Sequence, residues 1–115
     1  SAIFFDGELS HTVQKVPVPG DYRVQDDWGA TDRPAPFTED QVALARSIVG
    51  CAESILFPGA PRCLLYARVD FLVDDDGQEV LTELELVEPS LFFRHDSGAA
   101  DRFAAAICRR VAAMS

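Results

Sequence analysis

Lysine is almost missing from this chain: Lys15 is the only one, and with nine arginines against nineteen acidic residues the net charge is −9. No basic stripe is left to neutralise a phosphate backbone, so nucleic acid is excluded as a partner. No apolar run approaches the ~20 residues of a membrane span, and no charged-then-apolar leader opens the chain. The expectation is a cytoplasmic protein with no membrane partner. Cysteine is scarce and unpaired by spacing: Cys51, Cys63 and Cys108 are odd in number, lack a CxxC pair or a nearby histidine, and sit in apolar surroundings. They are expected to be buried reduced thiols. The two histidines, His11 and His95, stand apart from any nucleophile, and solvated or structural hydrogen-bonding roles are expected for both. His95, just after an acidic strand, is the better functional candidate of the two. Ser90 has no G-x-S-x-G context, which leaves a serine hydrolase without support.

What remains is an alternating, strand-rich chain of 115 residues, 48% of them hydrophobic. That suits one domain over 1–115, able to bury about two thirds of its unfolded surface. Ala2-Ile3-Phe4-Phe5 and Thr12-Val13-Gln14-Lys15-Val16 flank Asp6-Gly7-Glu8 and read as a hairpin. Because the chain begins inside a strand, a piece of a longer protein is expected. Residues 17–37, rich in proline and glycine, read as a long loop of functional or mobile character. Within it Trp28 would pin the loop to the core. Arg23, beside Tyr22 and Gln25, either binds a carboxylate or phosphate through its planar fork or makes an ordinary loop salt bridge.

Thr38-Glu39-Asp40-Gln41 is a capping box and starts a helix running to about Leu56, where Pro58-Gly59 stops it. Val42, Ala45, Val49, Ala52 and Leu56 recur at helical spacing and form its core face, widened by Leu44, Ile48 and Ile55. A second helix, capped by Asp96 or Ser97, carries a stripe of Phe103, Ile107 and Val111. The predicted fold is α+β, a mainly antiparallel four-stranded sheet with two helices on one face, in the order ββαββα.

Between the helices lie two strands, Leu64 to Val73 and Val80 to Val87, joined by Asp74-Asp75-Asp76-Gly77-Gln78-Glu79. The Asp76-Gly77 pair predicts a two-residue type I′ turn with Asp75 opposite Gln78. That register sets Asp70 opposite Glu83 and Arg68 opposite Glu85, all four side chains on one face. Three carboxylates would then repel one another beside a single guanidinium. A divalent cation would reverse the penalty, and rigid oxygen-only ligands suit magnesium sharing its coordination with phosphates. The alternative is a solvated face on which Arg68 and Glu85 pair across the strands. A calcium loop over Leu72 to Glu83 is rejected, because its first position is a leucine and its flanks are strands.

The second half of the chain resembles the carboxy-terminal part of the ATP-grasp ligase domain. In its D-alanine:D-alanine ligases an Arg-Val-Asp-Phe strand precedes an acidic turn, then Glu-x-Asn and a Pro-Gly turn. Here Arg68-Val69-Asp70-Phe71 matches, the thirteen-residue interval from Asp70 to Glu83 is that between the family's metal carboxylates, and Glu83-Leu84-Glu85 stands for Glu-x-Asn. Glutamate for asparagine at 85, and Glu88-Pro89-Ser90-Leu91 in place of Pro-Gly, mark a distinct branch. The first half resembles the glutathione-synthetase-like and ribosomal-protein glutamate ligase branch through Gly20-Asp21-Tyr22-Arg23-Val24-Gln25 and Gly29-Ala30.

The resemblance implies an ATP- and magnesium-dependent ligase joining small-molecule carboxylate and amine substrates through an acyl-phosphate. Two magnesium (or manganese) ions would be held by Asp70 and Glu83, and by Glu83 and Glu85. Arg23 and Arg68 would be catalytic, with Arg23, Gln25 and Glu83 meeting the nucleotide. The remainder of the ATP-grasp domain would precede Ser1 and be a required partner, leaving this piece inactive alone. A rival expectation is a non-catalytic regulatory or interaction module with a solvated acidic face. A third is an assembly interface, a homo-oligomer formed through an exposed first hairpin.

Overall fold

The computed structural model describes residues 1–16, 31–59 and 63–114. Strands β1 (Ala2–Phe5), β2 (Glu8–Val16) and β3 (Thr31–Pro34) precede helix α1 (Glu39–Leu56), followed by β4 (Tyr66–Val73), β5 (Glu79–Glu85) and helix α2 (Ala99–Ala113). The class is α+β, with one antiparallel sheet ordered β3-β2-β1-β4-β5. The sheet therefore has five strands, not four. The additional strand, β3, lies inside the segment read as loop. Thr31-Asp32-Arg33-Pro34 has no apolar alternation, and Pro34 is tolerated because β3 is an edge where a missing N–H goes unpaired.

Asp6 and Gly7 both take positive φ, 53° and 82°, so the first hairpin closes through the two-residue turn its sequence signals. It is not the exposed surface expected for assembly. Every residue of β1 is buried, and β1 runs between β2 and β4. Successive β1 side chains alternate between two cores. Ala2 and Phe4 pack with Ala67, Val69 and the α1 residues Ala45 and Val49. Ile3 and Phe5 pack with Val13, Phe92 and the α2 residues Ala99 and Ala106. The two helices thus cover opposite faces, and the expectation of both on one face is corrected: both faces of β1 are apolar, which calls for two covering layers.

The capping box of α1 is present, with Gln41 N–H donating to Thr38 Oγ1 at 3.2 Å and Thr38 N–H to Gln41 Oε1 at 2.9 Å. Its core face is narrower than the periodicity suggests, since Ala45 and Val49 are buried while Leu44, Ile55 and Leu56 are exposed. In α2 burial runs through Ala99, Phe103 and Ala106, leaving Ile107 and Val111 outside. Gly98, not Asp96 or Ser97, is the residue at the cap position, although the Asp96 carboxylate accepts a hydrogen bond from Gly98 N–H at 2.9 Å. All three cysteines are exposed, against expectation. Cys51 and Cys108 each lie two positions beyond a buried residue, Val49 and Ala106, which turns them about 200° away from the core. Among the described residues, no helix is long and apolar enough to cross a membrane.

Candidate functional site

The β4–β5 hairpin brings together the residues its sequence singles out. Asp70 lies opposite Glu83 and Arg68 opposite Glu85. The route to this register differs from the expected one. Asp74 pairs with Gln78, its N–H donating to Gln78 O at 2.9 Å, around a three-residue loop in which Gly77 takes φ 79°. Asp74 Oδ1 accepts from the N–H groups of Asp76 and Gln78, both at 2.9 Å, which fixes the turn. A one-residue shift between Asp70 and Phe71 then restores the outer register. Thr82 is the extra residue, and its hydroxyl donates to Asp70 O at 3.1 Å.

Arg68 is the centre of the cluster. Its Nη2 lies 3.0 Å from Asp70 Oδ2, 3.2 Å from Glu83 Oε2 and 3.1 Å from Glu85 Oε2. Nη1 donates to Ser90 O at 3.1 Å, tying the chain beyond β5 to the same guanidinium. The side chains of Arg68 and Asp70 are 5% and 11% exposed, whereas Glu83 and Glu85, on the edge strand, are 54% and 35% exposed. One wall of the cluster is closed and the other opens to solvent. Among the described residues, no three acidic, histidine or cysteine side chains close round a metal-sized point. Three carboxylate oxygens do surround one cationic nitrogen, at distances roughly 1 Å longer than the 2.0–2.1 Å magnesium demands.

The protonation of the pair reflects this crowding. Burial pushes the Asp70 carboxyl up, but Arg68 and Lys15 pull it down, and it lies below the usual carboxylate range. Glu83 goes the other way. Its hydrogen bond with Asp70, then burial and the negative charges of Asp70 and Glu85, raise its pKa against the pull of Arg68. Of the two facing carboxyls, Glu83 is the one that holds a proton longer.

Further residues join the cluster without a local sequence signal. Lys15, on β2, reaches Asp70 Oδ2 at 3.7 Å. Phe92 is buried, with its backbone at φ 53°, a conformation non-glycine residues seldom adopt. Lys15 Nζ, the Arg68 guanidinium carbon and that of Arg94 lie 5.5, 5.4 and 5.5 Å from its ring centroid. The Asp32 carboxylate pairs with both Arg94 and His95, pinning β3 to the turn Phe93–His95. His95 is thus held by a carboxylate. His11 is buried between the Ser10 hydroxyl at 2.8 Å and Leu91 O at 2.7 Å, and burial lowers its pKa: the structural role expected of it. Arg23 and Gln25, the expected phosphate contacts, and Trp28 lie outside the described residues.

No family model matches the chain. The chain is 34% identical over 118 residues to the cycloserine biosynthesis protein DcsG of Streptomyces lavendulae, across 94% of this chain and 36% of that protein. Its fold matches the crystal structure of D-cycloserine synthetase DcsG with a TM-score of 0.78 and 31% identity, across 95% of this chain and 36% of that one. In sequence and in fold, then, the chain is similar to a stretch of a synthetase of which it spans about a third of the length.

Proposed function

We propose that this chain is the cation- and phosphate-handling part of an ATP-dependent, ATP-grasp-type ligase that joins a carboxylate to an amine. The convergence of Asp70, Glu83 and Glu85 oxygens on one cationic nitrogen carries the reading, and the similarity to a synthetase supports it. The donor type suits magnesium or manganese, although the three carboxylates have to close in by roughly 1 Å to ligate one ion. The donor set is all oxygen, built on paired strands, closed on the Asp70 side and open on the Glu83 and Glu85 side, where substrate phosphates could complete the coordination. Asp70 and Glu83 would hold one ion, Glu83 and Glu85 a second. Bound there, the ions would supply positive charge that neutralises phosphoryl oxygens during transfer.

The chain's own residues have distinct tasks in this scheme. Asp70, gripped by Arg68, is the fixed ligand, while the exposed Glu83 and Glu85 can adjust. Arg68 orients the carboxylates, and Arg23, with Gln25 as a neighbouring polar contact, neutralises charge on the transferred phosphoryl group. The substrate carboxylate oxygen attacks the γ-phosphorus and ADP leaves. The amine nitrogen then attacks the acyl carbon, phosphate leaves, and the nitrogen loses a proton to give the amide. The chain spans about a third of the length of the synthetase it resembles, and on this reading it turns over no ATP by itself.

One observation favours a non-catalytic module: Arg68 already satisfies the carboxylates without a metal. Hydroxylamine trapping separates the two readings. With ATP, magnesium and a panel of carboxylic acids, the full-length protein should release ADP only with its own acid and yield the corresponding hydroxamate. No acid-dependent ADP release across the panel would leave the module.

A further inference from the structure

Amide formation leaves one proton to be placed, the one that the attacking nitrogen sheds. The turn Phe93–His95 carries a group suited to take it. His95 Nε2 bonds Asp32 Oδ1, and Arg94 Nη2 holds the other oxygen of the same carboxylate. The Asp32 side chain is 5% exposed and that of His95 15%, so the acid is enclosed while the ring keeps an opening to solvent. An ionised carboxylate only accepts, so Nε2 carries the proton and the neutral ring presents its lone pair at Nδ1. Among the described residues, Nδ1 has no hydrogen-bond partner. The pair also stands on the sheet face that carries the acidic cluster. Asp32 lies directly opposite Lys15 in the β2–β3 register, and residues so paired project from one face. Lys15 in turn reaches Asp70 at 3.7 Å. The Phe92 ring is shared by both groups, its centroid 5.5 Å from the Lys15 ammonium and 6.4 Å from the centroid of the His95 ring.

We infer that His95 is the general base of the amide-forming step, its Nδ1 taking the proton of the attacking nitrogen, and that Asp32 is the positioning residue that sets the ring. The inference rests on the ligase reading above. The nitrogen–carbon bond forms, the bond from the acyl carbon to the phosphate oxygen breaks, and phosphate leaves with that electron pair. The proton passes from nitrogen to Nδ1, and the resulting imidazolium, paired with Asp32, returns it to solvent. A carboxylate behind the ring fixes the tautomer and favours the charged form that appears during transfer. The backbone of Phe92 at φ 53° turns the chain between Leu91, whose carbonyl is bonded to His11, and the residues that deliver His95 to Asp32. Strain kept in place by its surroundings is found at functional sites. A strut pinning β3 to this turn needs the Nε2 contact alone, and Arg94 already makes a second contact to the same carboxylate. An accessible second nitrogen is what a base requires.

Reading the two half-reactions of the full-length protein separately tests this. Acid-dependent positional isotope exchange in labelled ATP follows acyl-phosphate formation with no amine present. Hydroxamate release at limiting hydroxylamine follows attack by nitrogen. His95→Gln keeps an N–H donor for Asp32 but has no basic nitrogen. Exchange, in which the base has no part, should stay within about twofold of the wild type, while hydroxamate release falls about a hundredfold or more. Imidazole added to His95→Gly should restore release at least about tenfold. Unchanged release in His95→Gln overturns the inference and leaves the ligase reading standing. An equal fall of exchange and release, or no rescue by imidazole, also overturns it and makes His95 a strut. No acid-dependent exchange in the wild type removes the ligase reading and the inference with it.

Discussion

Arg68 grips Asp70, two residues further along the same strand, with two parallel hydrogen bonds: Nε to Oδ1 at 3.1 Å and Nη2 to Oδ2 at 3.0 Å. Both side chains are buried, so removing the guanidinium leaves Asp70, among the described side-chain cations, with only the more distant Lys15. Arg68→Ala should lower the unfolding free energy by about 3 kcal/mol. Arg68→Lys keeps the charge but loses the fork, and should recover all but about 1 kcal/mol. Urea unfolding of the three proteins measures both differences.

The opposite shifts of Asp70 and Glu83 give a signed dependence on pH. Asp70 is depressed from its ordinary value of 3.8, so the stability it contributes is present above 3.8 and is lost as pH falls through its folded value. Glu83 is raised from 4.5, so the folded state binds the extra proton and stability falls as pH climbs from 4.5 through its folded value. Glu83→Gln removes the second effect. The variant should gain on the wild type as pH rises from 4.5 toward neutrality, with no relative gain below that range, in urea midpoints collected across pH.

Asp32 ties an edge strand to the turn that supports Phe92. Its side chain is 5% exposed and accepts from both Arg94 and His95. Asp32→Ala should cost about 1–3 kcal/mol through the lost charge-assisted bonds. The loss should be local first. Amide exchange at His95 and Asp96, whose N–H groups donate to Phe92 O and Phe93 O, should accelerate more than exchange in α1.

Much of the acidic hairpin was legible in the sequence because strand alternation has a period of two, so one pairing fixes every face. The facing of Asp70 with Glu83 came out as expected even though the turn did not. The three-residue Gly77 loop shifts the register by one, and the extra Thr82 shifts it back. A pair of compensating irregularities leaves no local signature. Strand β3 stayed hidden because an edge strand of Thr31-Asp32-Arg33-Pro34 buries no apolar row. The two-sided placement of the helices was legible only in the all-apolar Ala2–Phe5 run, which an excised central strand and an ordinary hairpin strand share. Lys15, Phe92 and Asp32 join the site through tertiary contacts with partners 24 or more positions away, and no spacing rule reaches them.

The central claim is that Asp70, Glu83 and Glu85 form a divalent-cation site, and calorimetric titration with manganese tests it most directly. Wild type is compared with a Glu83→Gln, Glu85→Gln double variant, whose changed side chains are the exposed members of the cluster and leave the buried Arg68–Asp70 pair in place. The account predicts saturable binding in the wild type, weakened at least about tenfold in the variant, a loss of about 1.4 kcal/mol or more. Equal affinity in the two proteins, or no saturable binding in the wild type, would contradict it.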